Sequence, residues 1–153
     1  METGQAGRVG RVGSVGLVDR ADRVDWALTT VVLLHLAISI VHGQAHSGAA
    51  IPLPLAATLF VYLVILAGPL VGLALARWRP VAGAWVVAAS LGGALVFGLV
   101  NHFIIAGPDH VDHVAQAWRL QFRITALLLV ASEAAGVVVG IRSVLRPIPR
   151  RAS

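Results

Sequence analysis

The sequence predicts an all-α integral membrane protein, a four-helix bundle that runs up, down, up and down. Three observations carry this. The 153 residues are 58% hydrophobic and only 12% charged, about half the charged fraction of a soluble domain. The apolar residues fall into four runs, each close to the roughly 20 residues that a bilayer requires. The connections between the runs are short, which implies antiparallel neighbours. The same composition excludes extensive disorder, which needs low hydrophobicity and high charge. Zero cysteine excludes a disulfide scaffold and a thiolate metal site.

Residues 1–25 read as a mobile, Gly/Arg-rich cytoplasmic segment. Gly7, Gly10, Gly13 and Gly16 recur every third residue, with Arg8 and Arg11 among them. The charge-alternating stretch from Asp19 to Asp25 is expected to begin a helix in the membrane interface, and Asp25 to cap the first span. That span runs from Trp26 to His42, extending to His46. The second runs from Ile51 to Ala76, with Pro52 and Pro54 at its start and a kink expected at Pro69. The third covers Val81–Ala106 and the fourth Leu120–Ile141. The bundle occupies residues 26–142, and 143–153 form a basic cytoplasmic tail. None of the spans reads as a cleavable signal peptide.

Small residues recur four apart: Gly68 and Gly72, Ala89 and Gly93, Ala94 and Gly98, Gly136 and Gly140. Such pairs let helix backbones approach in lipid, within the bundle, in a homo-oligomer or in a larger membrane complex. Trp26, Trp78, Trp85 and Trp118 lie near span ends, as an interfacial aromatic belt requires.

The net charge of +5 does not indicate a nucleic-acid partner. Every basic residue is Arg, and these arginines cluster at span ends as topology signals. Ten lie before span one, between spans two and three, or after span four; only Arg119 and Arg123 lie on the opposite side. By the positive-inside rule both termini are cytoplasmic. The lipid bilayer is the expected environment, and the plasma membrane of a bacterium or archaeon the expected location.

Five of the six histidines then fall at the extracytoplasmic ends of the spans. His42 and His46 are one turn apart on span one, His102 ends span three, and His110 and His113 lie in the following loop. If Asp109 caps span four, His110 and His113 share a helix face. Imidazoles from three separate places can surround one transition metal, with Cu, Zn or Fe as candidates. Asp109 and Asp112 are candidate ligands, or acceptors that fix the imidazole tautomers. The single Met is the first residue, which excludes thioether ligation within the bundle.

The leading functional expectation is an extracytoplasmic His-rich metal site serving redox chemistry, metal handling or sensing. One alternative is a b-type haem electron-transfer subunit, with His42 and His102 as axial ligands and Arg119 and Arg123 pairing with the propionates. Another is proton or cation transport through a buried polar layer. Glu133 lies nine residues before Arg142 and His35 nine after Trp26, each about 14 Å into the span. Tyr62 and Ser90 fall at similar depth. A carboxylate there needs a partner or a proton, and His35 is the expected partner. No residues are assigned to catalysis, and no nucleotide-binding or triad motif is present.

Overall fold

The computed structural model describes residues 25–145. The proposed interfacial helix, most of the Gly/Arg-rich segment, seven of the twelve arginines and most of the basic tail lie outside the described residues. Within them the chain is helical with four long apolar helices: α1 (Trp26–Gly48), α2 (Leu55–Ala76), α3 (Pro80–Ile104) and α4 (Gln116–Leu145). Each is long and apolar enough to cross a membrane. Between 11% and 39% of the most apolar window of each helix is buried inside the bundle. Helices that are apolar all round yet mostly unburied require an apolar solvent.

Asp25 caps α1: the Leu28 N–H donates to its Oδ1 at 3.2 Å. Its Oδ2 accepts from the Ser143 hydroxyl at 2.7 Å, tying the start of α1 to the end of α4. At the other end of the same two helices His42 meets Thr125. Contacts at both ends are compatible with the expected up-down-up-down course.

The boundaries differ from the sequence expectation for local reasons. α2 begins at Leu55, with Pro54 as its cap residue in an extended conformation (ψ 151°). Two prolines so close together hold Ile51–Pro54 out of the helix. α4 starts at Gln116, four residues before its apolar run, and continues to Leu145, past the expected end at Ile141. Asp109 does not cap α4. Residues 105–115 fold as turns instead, closed by His110 N–H to Gly107 C=O (3.1 Å), Val111 N–H to His102 C=O (3.0 Å) and His113 N–H to His110 C=O (2.8 Å). His110 and His113 therefore do not share a helix face.

Pro69 acts one turn upstream. Residues Val61–Ala67 form a π-helical stretch. In an α-helix the donor to the Ile65 carbonyl would be the N–H of residue 69, which proline lacks. That carbonyl instead accepts from His35 Nε2 of α1 at 3.1 Å. A second π-helical turn, Val100–Ile104, ends α3 and contains His102.

The small residues join the helices within the bundle. A Cβ at Gly72 of α2 would stand 2.8 Å from the Val87 backbone nitrogen of α3, and one at Gly140 of α4 would stand 2.9 Å from Ala88 Cβ. Neither can accept a side chain without moving a helix. Ala89 is exposed and takes no part in this packing. Two apolar clusters result. Leu28, Val31, Val32, Val87 and Leu91 fill the end bearing Arg77 and Arg142. Ala45, Val111, Val114, Phe122 and Ala126 fill the other end, beneath the histidines.

Candidate metal centre

Three histidines from two helices converge on Phe122. His42 and His46 lie on successive turns of α1, and the π-helical turn of α3 carries His102 to them. One ring nitrogen of each lies within 4.8 Å of the others. Among the described residues this is the one group of His, Asp and Glu arranged to hold an ion. The Phe122 ring is fully buried and forms the floor. Its centroid is 4.6 Å from that of His42, 5.0 Å from His46 and 5.1 Å from His102.

The partners of the outer ring nitrogens constrain where the lone pairs point. His102 Nδ1 lies 3.1 Å from the Asp109 carbonyl oxygen and 3.2 Å from Asp109 Oδ1. A carbonyl and a carboxylate only accept, so Nδ1 carries the proton and Nε2 the lone pair. His42 Nδ1 lies 2.8 Å from Thr125 Oγ1. The Thr125 hydroxyl can donate to the Gln121 carbonyl at 2.7 Å while accepting from His42 Nδ1–H. The His42 lone pair is then on Nε2 as well. The two Nε2 atoms are 3.3 Å apart.

Two proton arrangements fit these heavy atoms. Without an ion, the Thr125 hydroxyl turns to donate to His42 Nδ1, and His42 Nε2–H donates to His102 Nε2. With an ion, both Nε2 atoms are bare. Nitrogens bound at about 2.0–2.1 Å to a tetrahedral ion stand roughly 3.3–3.4 Å apart. The observed separation is therefore already that of two ligands on one centre, and long for a hydrogen bond between imidazoles.

His46 supplies the third ring. Asp109 Oδ1 stands 3.2 Å from its Nε2, near enough for charge attraction but off the hydrogen-bonding line. The carboxylate favours the proton on Nε2 and leaves the lone pair on Nδ1, which is buried without a hydrogen-bond partner. His42 and His102 thus have a hydrogen-bond partner behind them, Thr125 Oγ1 and the Asp109 carbonyl oxygen, while the Asp109 carboxylate lies beside His46 and His102 without hydrogen-bonding either. Such outer partners are what fix imidazole ligands to a metal.

The remaining candidates lie elsewhere. His110 and His113 stand together, 5.1 Å between centroids, outside the group of three. His110 Nδ1 accepts from the Asp112 N–H at 3.2 Å, and His113 Nδ1 donates to the Gly107 carbonyl at 2.9 Å. Both fold the loop. Asp112 faces Arg123 at 3.5 Å across an exposed surface. Arg119 donates to the Val114 carbonyl. Axial nitrogens on either side of a haem iron stand about 4 Å apart with the macrocycle between them. His42 and His102 are closer than that and nearly in contact.

In the mid-bundle layer, His35 Nδ1 lies 3.8 Å from Glu133 Oε1. Both residues are buried. Ser90 is at matching depth but points at Gly68 of α2, and Tyr62 is 62% exposed. Neither joins the pair.

No protein-family model, curated protein or solved structure matches the chain. The reading therefore rests on the geometry.

Phe122 and Thr125 are the site residues that the sequence reading missed. The signal was present in α4. Phe122, Thr125, Ala126, Leu129, Ser132, Glu133, Gly136 and Gly140 are its buried residues, spaced by three and four along one face. The stripe that carries Glu133 also carries Thr125 two turns earlier.

Proposed function

We propose that this protein is an integral membrane metal-binding protein, with His42, His46 and His102 as ligands to one transition-metal ion. The carrying observation is the 3.3 Å separation of two Nε2 atoms whose rings are both held from behind. Three imidazoles leave a tetrahedral ion one open position, the arrangement of centres that act on a bound molecule rather than serve as structural staples. Zn, Cu and Fe all accept imidazole. An ion here would polarise or exchange electrons with whatever takes the open position, and the protein would supply the fixed triad, the Asp109 and Thr125 supports and the Phe122 floor. The arginine distribution supports an extracytoplasmic position for this end of the bundle, so the ion would be met from the extracytoplasmic side. That suits extracytoplasmic redox chemistry, metal handling or sensing in a plasma membrane.

The test is calorimetric titration of Zn²⁺ and Co²⁺ into purified protein, with His42→Ala, His46→Ala and His102→Ala alongside. One ion per chain is expected, lost or strongly weakened in each variant. His110→Ala and His113→Ala should bind as the parent does. Unchanged affinity in the first three variants would remove the proposal.

A further inference from the structure

Glu133 is left unexplained by the metal centre. It is 3% exposed, lies mid-helix in α4, and its Oε2 is buried without a hydrogen-bond partner. Only its other oxygen approaches His35, at 3.8 Å, beyond hydrogen-bonding distance. His35 gains its hydrogen bond elsewhere, from Nε2 to the Ile65 carbonyl freed by Pro69. An unpartnered acceptor in a membrane interior is costly to retain, and an intramembrane carboxyl is by default a functional group.

Glu133 lines an open space within the bundle. A cavity of about 320 Å³ lies between the helices and is lined both by the three histidines and by Glu133. Between these poles its walls are mainly apolar, with Leu66, Phe97, Leu129 and Val130 among them, and Ser39, Thr58 and Tyr62 also line it. Gly98 spans the gap. A Cβ there would stand 3.8 Å from His102 Cδ2 and 3.9 Å from Glu133 Oε2. Those two atoms are therefore at most 3.8 + 3.9 = 7.7 Å apart. The absence of a side chain at Gly98 leaves the space between them free.

We propose that this cavity is the binding site for a small uncharged molecule bearing a hydroxyl group, an alcohol or phenol. The molecule donates a hydrogen bond to Glu133 Oε2 and presents its other end toward the His centre. The chemistry of the walls selects this class. The volume is at the lower end for small-molecule sites and admits a single ring. An apolar waist inside a bilayer disfavours a charged ligand. An unpartnered carboxyl oxygen at the deep end calls for a polar partner, and a hydroxyl serves it in either protonation state, donating to a carboxylate or accepting from a carboxylic acid. The Glu133 end stands on its own; the approach of the ligand to an ion rests on the proposed metal centre.

The probes are 4-fluorophenol and 4-fluoroanisole, which share a ring and differ in the hydroxyl proton. Their ¹⁹F spectra are followed in detergent micelles with and without protein, metal-free and Co²⁺-loaded. 4-Fluorophenol is expected to bind at least tenfold more tightly than the anisole. Glu133→Leu should abolish that preference. Gly98→Leu, which keeps Glu133 and fills the gap, should weaken 4-fluorophenol at least tenfold. In Co²⁺-loaded protein the phenol should also shift the visible cobalt absorption. Equal binding of the two probes, or a preference that survives Glu133→Leu, would overturn the inference. So would Na⁺ or K⁺ displacing the phenol in the parent but not in Glu133→Leu, which would make this a cation site. Protein that binds no Co²⁺ but still discriminates the probes would sink the metal centre and uphold the Glu133 pocket.

Discussion

Replacing His35 and Glu133 with Leu, singly and together, should give unequal costs. His35 is 0% exposed and Glu133 3%. His35→Leu removes two things at once. It strands the Ile65 carbonyl, which has lost its helical donor to Pro69 and accepts from His35 Nε2 at 3.1 Å; a buried acceptor left unpaired costs about 1–3 kcal/mol. It also takes away the polar side chain that stands 3.8 Å from Glu133 Oε1. At the 3.8 Å separation, an ionised pair would interact by about 4 kcal/mol at an effective dielectric of 20. A neutral pair at that distance contributes far less. Glu133→Leu leaves the His35–Ile65 bond intact and removes an acceptor that lacked a partner, so its cost should be smaller. We expect His35→Leu to cost about 3–5 kcal/mol, Glu133→Leu at most about 2 kcal/mol, and the double variant to recover about 1–3 kcal/mol relative to additivity. Reversible unfolding in detergent, followed by circular dichroism, measures all four corners. Adding Pro69→Ala restores an N–H at residue 69 and should lessen the cost of His35→Leu by about 1 kcal/mol. Equal costs for the two single variants, strict additivity and no effect of Pro69→Ala would together refute this reasoning.

Thr125→Val keeps the shape of the side chain but removes the oxygen that accepts from His42 Nδ1; metal affinity should fall about 10–100-fold with the helix content unchanged, as read by titration and circular dichroism. Metal affinity should also decrease in acid, because a protonated imidazole cannot ligate and up to three protons compete with the ion; affinity that rises as pH is lowered would contradict imidazole ligation. A cysteine at the exposed His113 should react with an impermeant thiol reagent from outside intact cells, whereas labelling only after permeabilisation would reverse the orientation and place the metal centre at the cytoplasmic face.

The helices were legible because composition and run length are the whole of the signal for a membrane span. Depth was legible too. Counting at 1.5 Å per residue from opposite ends brought His35 and Glu133 to one level, where their side chains are 3.8 Å apart. Azimuth was harder to read. Ser90 sits at the right depth on the wrong face and packs against Gly68, and Tyr62, within the π-helical stretch Val61–Ala67, is largely exposed. The histidine count likewise overstated the cluster. His110 and His113 are near the others in sequence position, but Gly107–Pro108 turns the loop so that their ring nitrogens bond its own backbone. Asp109 was expected to cap a helix; it is drawn instead between His46 and His102. Thr125 is marked only by its place on the buried stripe of α4, since Thr within a span ordinarily bonds its own helix carbonyl, as this one does. Its second role, toward His42, exists only through a contact between residues 83 positions apart.

X-ray absorption spectroscopy of the Zn²⁺-loaded protein tests the central claim most directly. The metal centre assigned here predicts three imidazole nitrogens at about 2.0–2.1 Å and one further light atom in a four-coordinate shell, falling to two imidazoles in His46→Ala. A shell of oxygen atoms without imidazole scattering, or a spectrum identical in His42→Ala, His46→Ala and His102→Ala, would show that the ion binds elsewhere.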